Sequence, residues 1–217
     1  MDPAFWLERW ARGDIPWHQP EGNALLRRHW DGLGLPAGSL VFVPLCGKSP
    51  DLAWLAARGH RILGIELSAL AIRDFFAERG LEPRRRPHRL GWAHEAGPYC
   101  LIEGDAFALQ PQELAECAGF YDRAALVALP PAMRGRYARE VLGALPPGCR
   151  GLLITIEFPE AAHPGPPFPV GEDELRALLP AFAPVLIERV GPPEDATGAG
   201  SPRSGSAVWR LVRGRPR

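Results

Sequence analysis

The chain has 217 residues, 46% of them hydrophobic and 23% charged, with 25 basic and 25 acidic side chains. That length buries an adequate core without metals or disulfides, and zero net charge removes the surplus that drives nonspecific binding to nucleic acid or membranes. All but one of the basic residues are arginine, the exception being Lys48; with 25 Pro and 24 Gly this reads as compositional bias.

In chain order, Pro3–Arg12 and Gly22–Asp31 read as two helices before the first strand. Ser39–Pro44 is a short apolar strand opening after the Pro36–Gly38 turn. Pro50–Arg58 reads as a helix with Ser49 as N-cap, Pro50 in its first turn and Gly59 as its stop. Arg61–Leu67 is the next strand, and Ser68 caps a helix over Ala69–Arg79 that Gly80 ends. This strand–helix–strand–helix order predicts a parallel sheet with right-handed crossovers.

Residues 83–90 are basic and read as a solvated loop or an edge. Gly91–His94 and Tyr99–Glu103 flank a Gly97–Pro98 turn as a hairpin. Gly119–Asp122 is a short buried strand, Pro131–Leu145 a helix, and Gly151–Phe158 a strand that runs into the Pro-rich stretch His163–Pro169. Glu172–Leu179 is a short helix, Val185–Val190 and Ala207–Val212 are strands, and Gly191–Ser206 between them reads as a loop. One domain over residues 1–217 is expected, with a helical extension at 1–35 and a doubly wound core at 36–217.

The four cysteines, Cys46, Cys100, Cys117 and Cys149, have neither CxxC spacing nor clustered histidines. The expectation is no metal site, no disulfide framework and reduced thiols in a cytoplasm. The N-terminus is acidic and amphipathic without an apolar signal-peptide core, and no apolar run reaches the ~20 residues that span a bilayer. Without a heptad pattern, a monomer is the default.

Topology nominates the loop 44–49 after the first strand, since doubly wound sheets bind ligands beyond the carboxyl ends of their strands. Gly47-Lys48-Ser49 looks like the end of a phosphate-binding loop, but that motif needs glycine where Phe42 stands. No GxGxxG signature is present either. Glu66 ends the second strand 19 residues after Gly47. A carboxylate there accepts ribose hydroxyls and repels a nearby phosphate, which favours an adenosine-type ligand. A purely structural αβ turn is the competing reading.

Asp105, after the third strand, has the chemistry to accept from an adenine amino group. Arg123 ends the fourth strand beside the apolar stretch Ala124–Leu129, where an unpaired charge is costly. On spacing alone, an Asp122–Arg123 structural network and a ligand role are both open. Trp6 and Trp10 share one helix face and, with Phe5 and Trp17, form either packing for the extension or a lid over a planar ligand.

These segments together resemble the thiopurine S-methyltransferases, a branch of the S-adenosylmethionine-dependent methyltransferases. The resemblance is carried by FWLERW at 5–10, WHQ at 17–19, VFVPLCGKSPDLAWLAARGH at 41–60, GIELSALAIRDFF at 64–76, GDAF at 104–107, DRAALVALPPAMRGRYA at 122–138 and HPGPPFPV at 163–170. It implies a Rossmann-like class I α/β fold: a mostly parallel sheet, helices on both faces, an antiparallel last strand and the N-terminal helical extension. It also implies that Trp10, Leu45 and Glu66 contact S-adenosylmethionine, with Glu66 on the ribose. Asp105 and Ala106 match the adenine side. Arg123 matches the arginine between the methionine end and the substrate, and Trp17 replaces a usual phenylalanine beside the substrate.

Two departures leave the substrate open. Arg203 is the only arginine in Gly191–Ser206, where the family usually carries a charged segment, and Phe158 is followed by Pro159 instead of Asp. The implied reaction is in-line attack of a small thiol, aromatic or heterocyclic, on an activated methyl group, with Arg123 stabilising the thiolate. Related enzymes imply inorganic selenium or tellurium species or halides as alternative acceptors, and a catalytically silent cofactor-binding module is the rival of another class. No metal, nucleic-acid or membrane partner is expected.

Overall fold

The computed structural model describes residues 2–158, 165–191 and 205–214. Among them, nine strands form one sheet: β1 (Leu40–Pro44), β2 (Arg61–Glu66), β3 (Arg84–His88), β4 (Gly91–Ala96), β5 (Tyr99–Glu103), β6 (Cys117–Arg123), β7 (Arg150–Glu157), β8 (Val185–Val190) and β9 (Gly205–Val212). Their spatial order is β3-β4-β5-β2-β1-β6-β7-β9-β8. The five central strands, β5 to β7, pair in parallel. β9 runs antiparallel between β7 and β8. The chain leaves β1 to one side for β2 and returns to its other side for β6, so a crevice opens beyond the carboxyl end of β1.

Period-two alternation sorts the strand side chains onto two faces. Val41, Val43, Tyr121, Leu152 and Ile154 join one buried cluster. Phe42, Phe120 and Leu153 join the other. The first face is covered by α2 (Ala24–His29), α3 (Asp51–Ala57) and α4 (Ala69–Ala77), through Leu26, Leu52, Leu55, Ile72 and Phe75. The second is covered by α6 (Pro131–Glu140) and α7 (Glu172–Leu178), through Tyr137, Ala138 and Leu175. α1 (Pro3–Arg12) precedes these, and the one-turn α5 (Pro111–Leu114), which the sequence pattern does not reveal, sits between β5 and β6.

Three elements differ from the sequence reading. The stretch 22–31 is not one helix: Asn23 caps α2 by accepting from Leu25 and Leu26 N–H, and Trp30–Leu33 tightens into a 3-10 turn that Gly34 closes. The helix read as ending at Leu145 stops at Glu140 and continues as a 3-10 turn at Leu142–Ala144. The basic stretch 83–90 contains β3, an edge strand whose Arg84 and Arg86 pair with Glu95 on β4. Arginines on an edge discourage pairing with a second chain.

Candidate active site

At the carboxyl ends of β1, β2, β5 and β6 lies a cavity of about 540 Å³, a size suited to a small ligand or cofactor. It gathers Trp10, Trp17, Leu45, Glu66, Asp105, Ala106 and Arg123, all singled out from the sequence. Arg203 lies outside the described residues.

The loop after β1 is shaped by two left-handed residues, Leu45 (φ 47°) and Gly47 (φ 52°). Glycine takes that conformation without penalty; leucine does so at a cost of order 1–2 kcal/mol. Cys46 N–H donates to the Ile65 carbonyl at 3.1 Å, which holds the loop against β2. The Cys46 side chain is buried, and burial followed by the Glu66 carboxylate pushes its thiol well up, so it stays a neutral apolar group. Its sulfur explains Gly64: a Cβ there would sit 2.7 Å from Cys46 Sγ and 2.6 Å from Leu101.

Glu66 is 7% exposed and fixes the loop directly. Gly47 N–H donates to its Oε2 at 2.8 Å, and Ser68 N–H donates to its Oε1 at 2.9 Å. Burial raises its pKa, while the backbone donors at Ser68, Gly47 and Leu67 oppose that shift. The two carboxylate oxygens offer about four lone-pair sites, so acceptor capacity is left for a hydroxyl donor beside these backbone groups. Lys48 turns away from any phosphate role and pairs with Glu78 at 2.5 Å. Ser68 caps α4 by accepting from Ala71 N–H, as read from the sequence.

Arg123 ends β6 just before Ala124, a second non-glycine residue with positive φ (63°). Its Nη1 donates to the Trp17 carbonyl at 2.8 Å. No Asp122–Arg123 network forms. Asp122 instead accepts from Tyr137 Oη at 2.8 Å and Leu126 N–H at 3.1 Å, wholly buried. Burial first, against the opposing pull of its donors, pushes its carboxyl up to about 6.

The aromatic N-terminus closes one side of the cavity. Trp6 and Trp10 meet the Trp17 ring edge to face, at 5.3 and 6.0 Å between centroids, and the Arg9 guanidinium lies 4.9 Å over that ring. Trp10 is buried against the loop: a Cβ at Gly47 would lie 3.1 Å from its Cζ2. On the far side, Asp105 is exposed and accepts from Phe107 N–H at 2.9 Å, starting a 3-10 turn that buries Ala106.

Four lining residues, Asp51, Pro166, Pro167 and His18, were not singled out from the sequence. Asp51 lines the cavity while accepting from Asn23 N–H at 2.7 Å and Tyr121 Oη at 2.9 Å, tying the N-terminal segment to α3 and β6. Pro166 and Pro167 reach the cavity from the Pro-rich stretch, anchored where Phe168 N–H donates to the Val127 carbonyl at 2.7 Å. His18 also lines it. For Asp51, an acidic residue at a helix start looks like a dipole contact in one dimension, so nothing in the sequence marks its tertiary role.

Among the described residues, no cluster of three or more His, Cys, Asp or Glu is arranged to hold a metal ion, and no helix is long and apolar enough to cross a membrane. The cavity offers a buried carboxylate at one point, a guanidinium at another, and apolar or aromatic walls between them. That arrangement has the chemistry to accept from hydroxyl groups and to sit beside an anion.

Comparison with known proteins agrees with the geometry. Residues 1–197 match the family described as Thiopurine S-methyltransferase (TPMT). The chain is 53% identical over 179 residues to a thiopurine S-methyltransferase of Xanthomonas campestris pv. campestris, covering 82% of each chain. It is 46% identical over 217 residues to one of Nitrosomonas eutropha, covering 98% of this chain and 99% of that one. In fold it is similar to a Burkholderia thailandensis 1,6-didemethyltoxoflavin-N1-methyltransferase solved with S-adenosylhomocysteine (TM-score 0.65, 18% identity, 98% and 87% of the two chains covered). It is also similar to a SAM-dependent methyltransferase of Anabaena variabilis (TM-score 0.66, 13% identity, 98% and 95% covered).

Proposed function

The chain belongs to the thiopurine S-methyltransferase family of S-adenosylmethionine-dependent methyltransferases, and from that premise we propose that it methylates small thiols, aromatic or heterocyclic ones foremost. The observation that carries this reading is the single cavity shared by Glu66 from β2, Arg123 from β6 and the tryptophans of the N-terminal segment.

The residues present fit S-adenosylmethionine. Glu66 lines the cavity with acceptor capacity left beyond its backbone donors, and carries a charge that favours ribose hydroxyls over a phosphate. Leu45, Ala106 and Trp10 supply apolar walls, and Asp105 stands at the adenine side. When bound, the cofactor supplies a methyl group already activated on a sulfonium.

The remaining task of the protein is alignment and charge control. Arg123 faces the cavity as a fixed cation, held by the Trp17 carbonyl, and favours the ionised form of an acceptor thiol beside it. Trp17, with Trp6 packed edge to face against it and Pro167 nearby, supplies an aromatic and apolar wall suited to an aromatic acceptor. The N-terminal stretch is read as a cover that excludes water during transfer. The protein acts as a monomer on small molecules in the cytoplasm in this reading.

Calorimetry with S-adenosylhomocysteine tests the premise and is expected to show one site. A labelled-methyl assay against thiols, selenite, tellurite and halides then tests the acceptor. Transfer to aromatic thiols above the others supports the proposal. Preference for inorganic selenium or tellurium species, or for halides, replaces it, and binding without transfer to any of them identifies a silent cofactor-binding module.

A further inference from the structure

The mechanism so far leaves one polar ring in the cavity unused. His18 follows Trp17, whose carbonyl anchors Arg123, and its side chain lines the same cavity. Its backbone N–H donates to the Ile15 carbonyl at 2.9 Å. Among the described residues its ring makes no hydrogen bond and no ion pair. His18 is only partly buried, and its ring nitrogens keep access to solvent or to a ligand. His18 thus lines the cavity with no partner on either ring nitrogen among the described residues.

We propose that His18 accepts the proton of the acceptor thiol. This rests on the thiol-methyltransferase reading above and deepens it by naming where the proton goes. The S–H bond breaks with its proton passing to a ring nitrogen and its electron pair staying on sulfur. That pair forms the new S–CH3 bond as the methyl–sulfonium bond breaks, leaving a neutral thioether on the donor. The imidazolium then returns its proton to water. No oxidant or further reactant is needed.

The surroundings suit the role. Lys48 from the first loop, Arg123 from the end of β6, and Arg79 beyond α4 are cations around the ring, and Glu78 is the one opposing charge. Burial first, then Lys48, lowers the His18 pKa from its ordinary value, so the ring is neutral and able to accept at neutral pH. It is a weak base for the same reason. Arg123 compensates by stabilising the thiolate that the transfer leaves behind. The two groups thus divide one task, with charge stabilisation on one and proton removal on the other.

The test compares two acceptors in the full-length protein: an alkyl thiol with pKa about 8.5, protonated at neutral pH, and a strongly acidic heteroaryl thiol that is ionised there. His18→Gln is expected to lower kcat/KM for the first by about 10- to 100-fold and for the second by less than about twofold. Equal loss on both, or loss on neither, overturns the proposal. Lys48→Met removes the strongest cation near the ring and frees Glu78, so the acid limb of the wild-type pH profile is expected to move to higher pH; an unmoved limb counts against His18. Ring titration by NMR, with His18→Gln for assignment, is expected to show a pKa below the ordinary histidine value and matching that limb. A ring protonated at neutral pH overturns the proposal without any turnover measurement. If the wild type binds S-adenosylhomocysteine but methylates neither thiol, the parent reading fails and this one falls with it, a pattern distinct from selective loss in His18→Gln.

Discussion

Arg123 donates through Nη1 to the backbone carbonyl of Trp17 at 2.8 Å, across 106 positions of sequence. One bond therefore joins the end of β6 to the segment that covers the cavity. The cation that lines the cavity and the aromatic segment beside it are held in register by a contact that does not depend on the Trp17 side chain.

Arg123→Met is expected to lower methyl transfer most at pH values below the pKa of the acceptor thiol. There the guanidinium raises the ionised fraction, and each unit by which it lowers the thiol pKa is worth tenfold in thiolate. Above that pKa the thiolate forms unaided and the deficit shrinks. A pH–rate profile of kcat/KM checks this, and a uniform loss at all pH values assigns Arg123 to positioning alone.

Glu66→Ala removes the acceptor of the Gly47 and Ser68 N–H groups and the proposed ribose contact together. S-adenosylhomocysteine affinity is expected to fall by at least about fivefold, roughly 1 kcal/mol. Thermal stability falls as well, because two backbone donors lose their partner. Calorimetry and melting curves separate the two effects. An unchanged dissociation constant with a lowered Tm leaves Glu66 as a loop anchor only.

Gly47→Ala places a methyl 3.1 Å from Trp10 Cζ2 at a backbone φ of 52°. The left-handed conformation alone costs about 1–2 kcal/mol for alanine. Trp10 must also move, so cofactor affinity and the tryptophan emission spectrum are expected to change together. An affinity like that of the wild type means that Trp10 does not contribute to binding.

Asp122 couples stability to pH. Its carboxyl titrates near pH 6 in the fold and near 3.8 when solvated. The folded state therefore holds the extra proton between those values, and stability falls as pH rises through that window, by at most about 3 kcal/mol. Asp122→Asn keeps an acceptor for Leu126 N–H and a polar partner for Tyr137 without a charge. Denaturant midpoints measured at pH 4 and pH 7 are expected to fall less for the variant than for the wild type. Parallel curves contradict the assignment.

Much of the fold is legible in one dimension because it depends on local rules. α1 and β8 appear with the same bounds in sequence and structure; for α1 the reason is local, since Asp2 caps it and Gly13 ends it. Glu66 is legible because a glycine turn and an acid at this spacing lie on adjacent parallel strands, a relation that the crossover geometry preserves. β3 is harder to read, since its arginines form no apolar alternation and only the antiparallel neighbour β4 supplies its bonds. Asp51 is harder still, because its partners Asn23 and Tyr121 come from 28 and 70 residues away.

The sequence by itself determined the alternation of strands and helices, the loop after β1 and the residue types able to meet an adenosine-like cofactor. Those features follow from periodicity, capping and turn chemistry, which act over a few residues. The tertiary structure alone decided that Asp122 bonds Tyr137 and not Arg123, that Lys48 pairs with Glu78, and that His18 lines the cavity with no ring partner among the described residues. Charged side chains adjacent in sequence on a strand point to opposite faces of the sheet, so neighbours such as Asp122 and Arg123 enter different environments. Which groups then meet is set by the packing of distant segments, and no local rule carries that information.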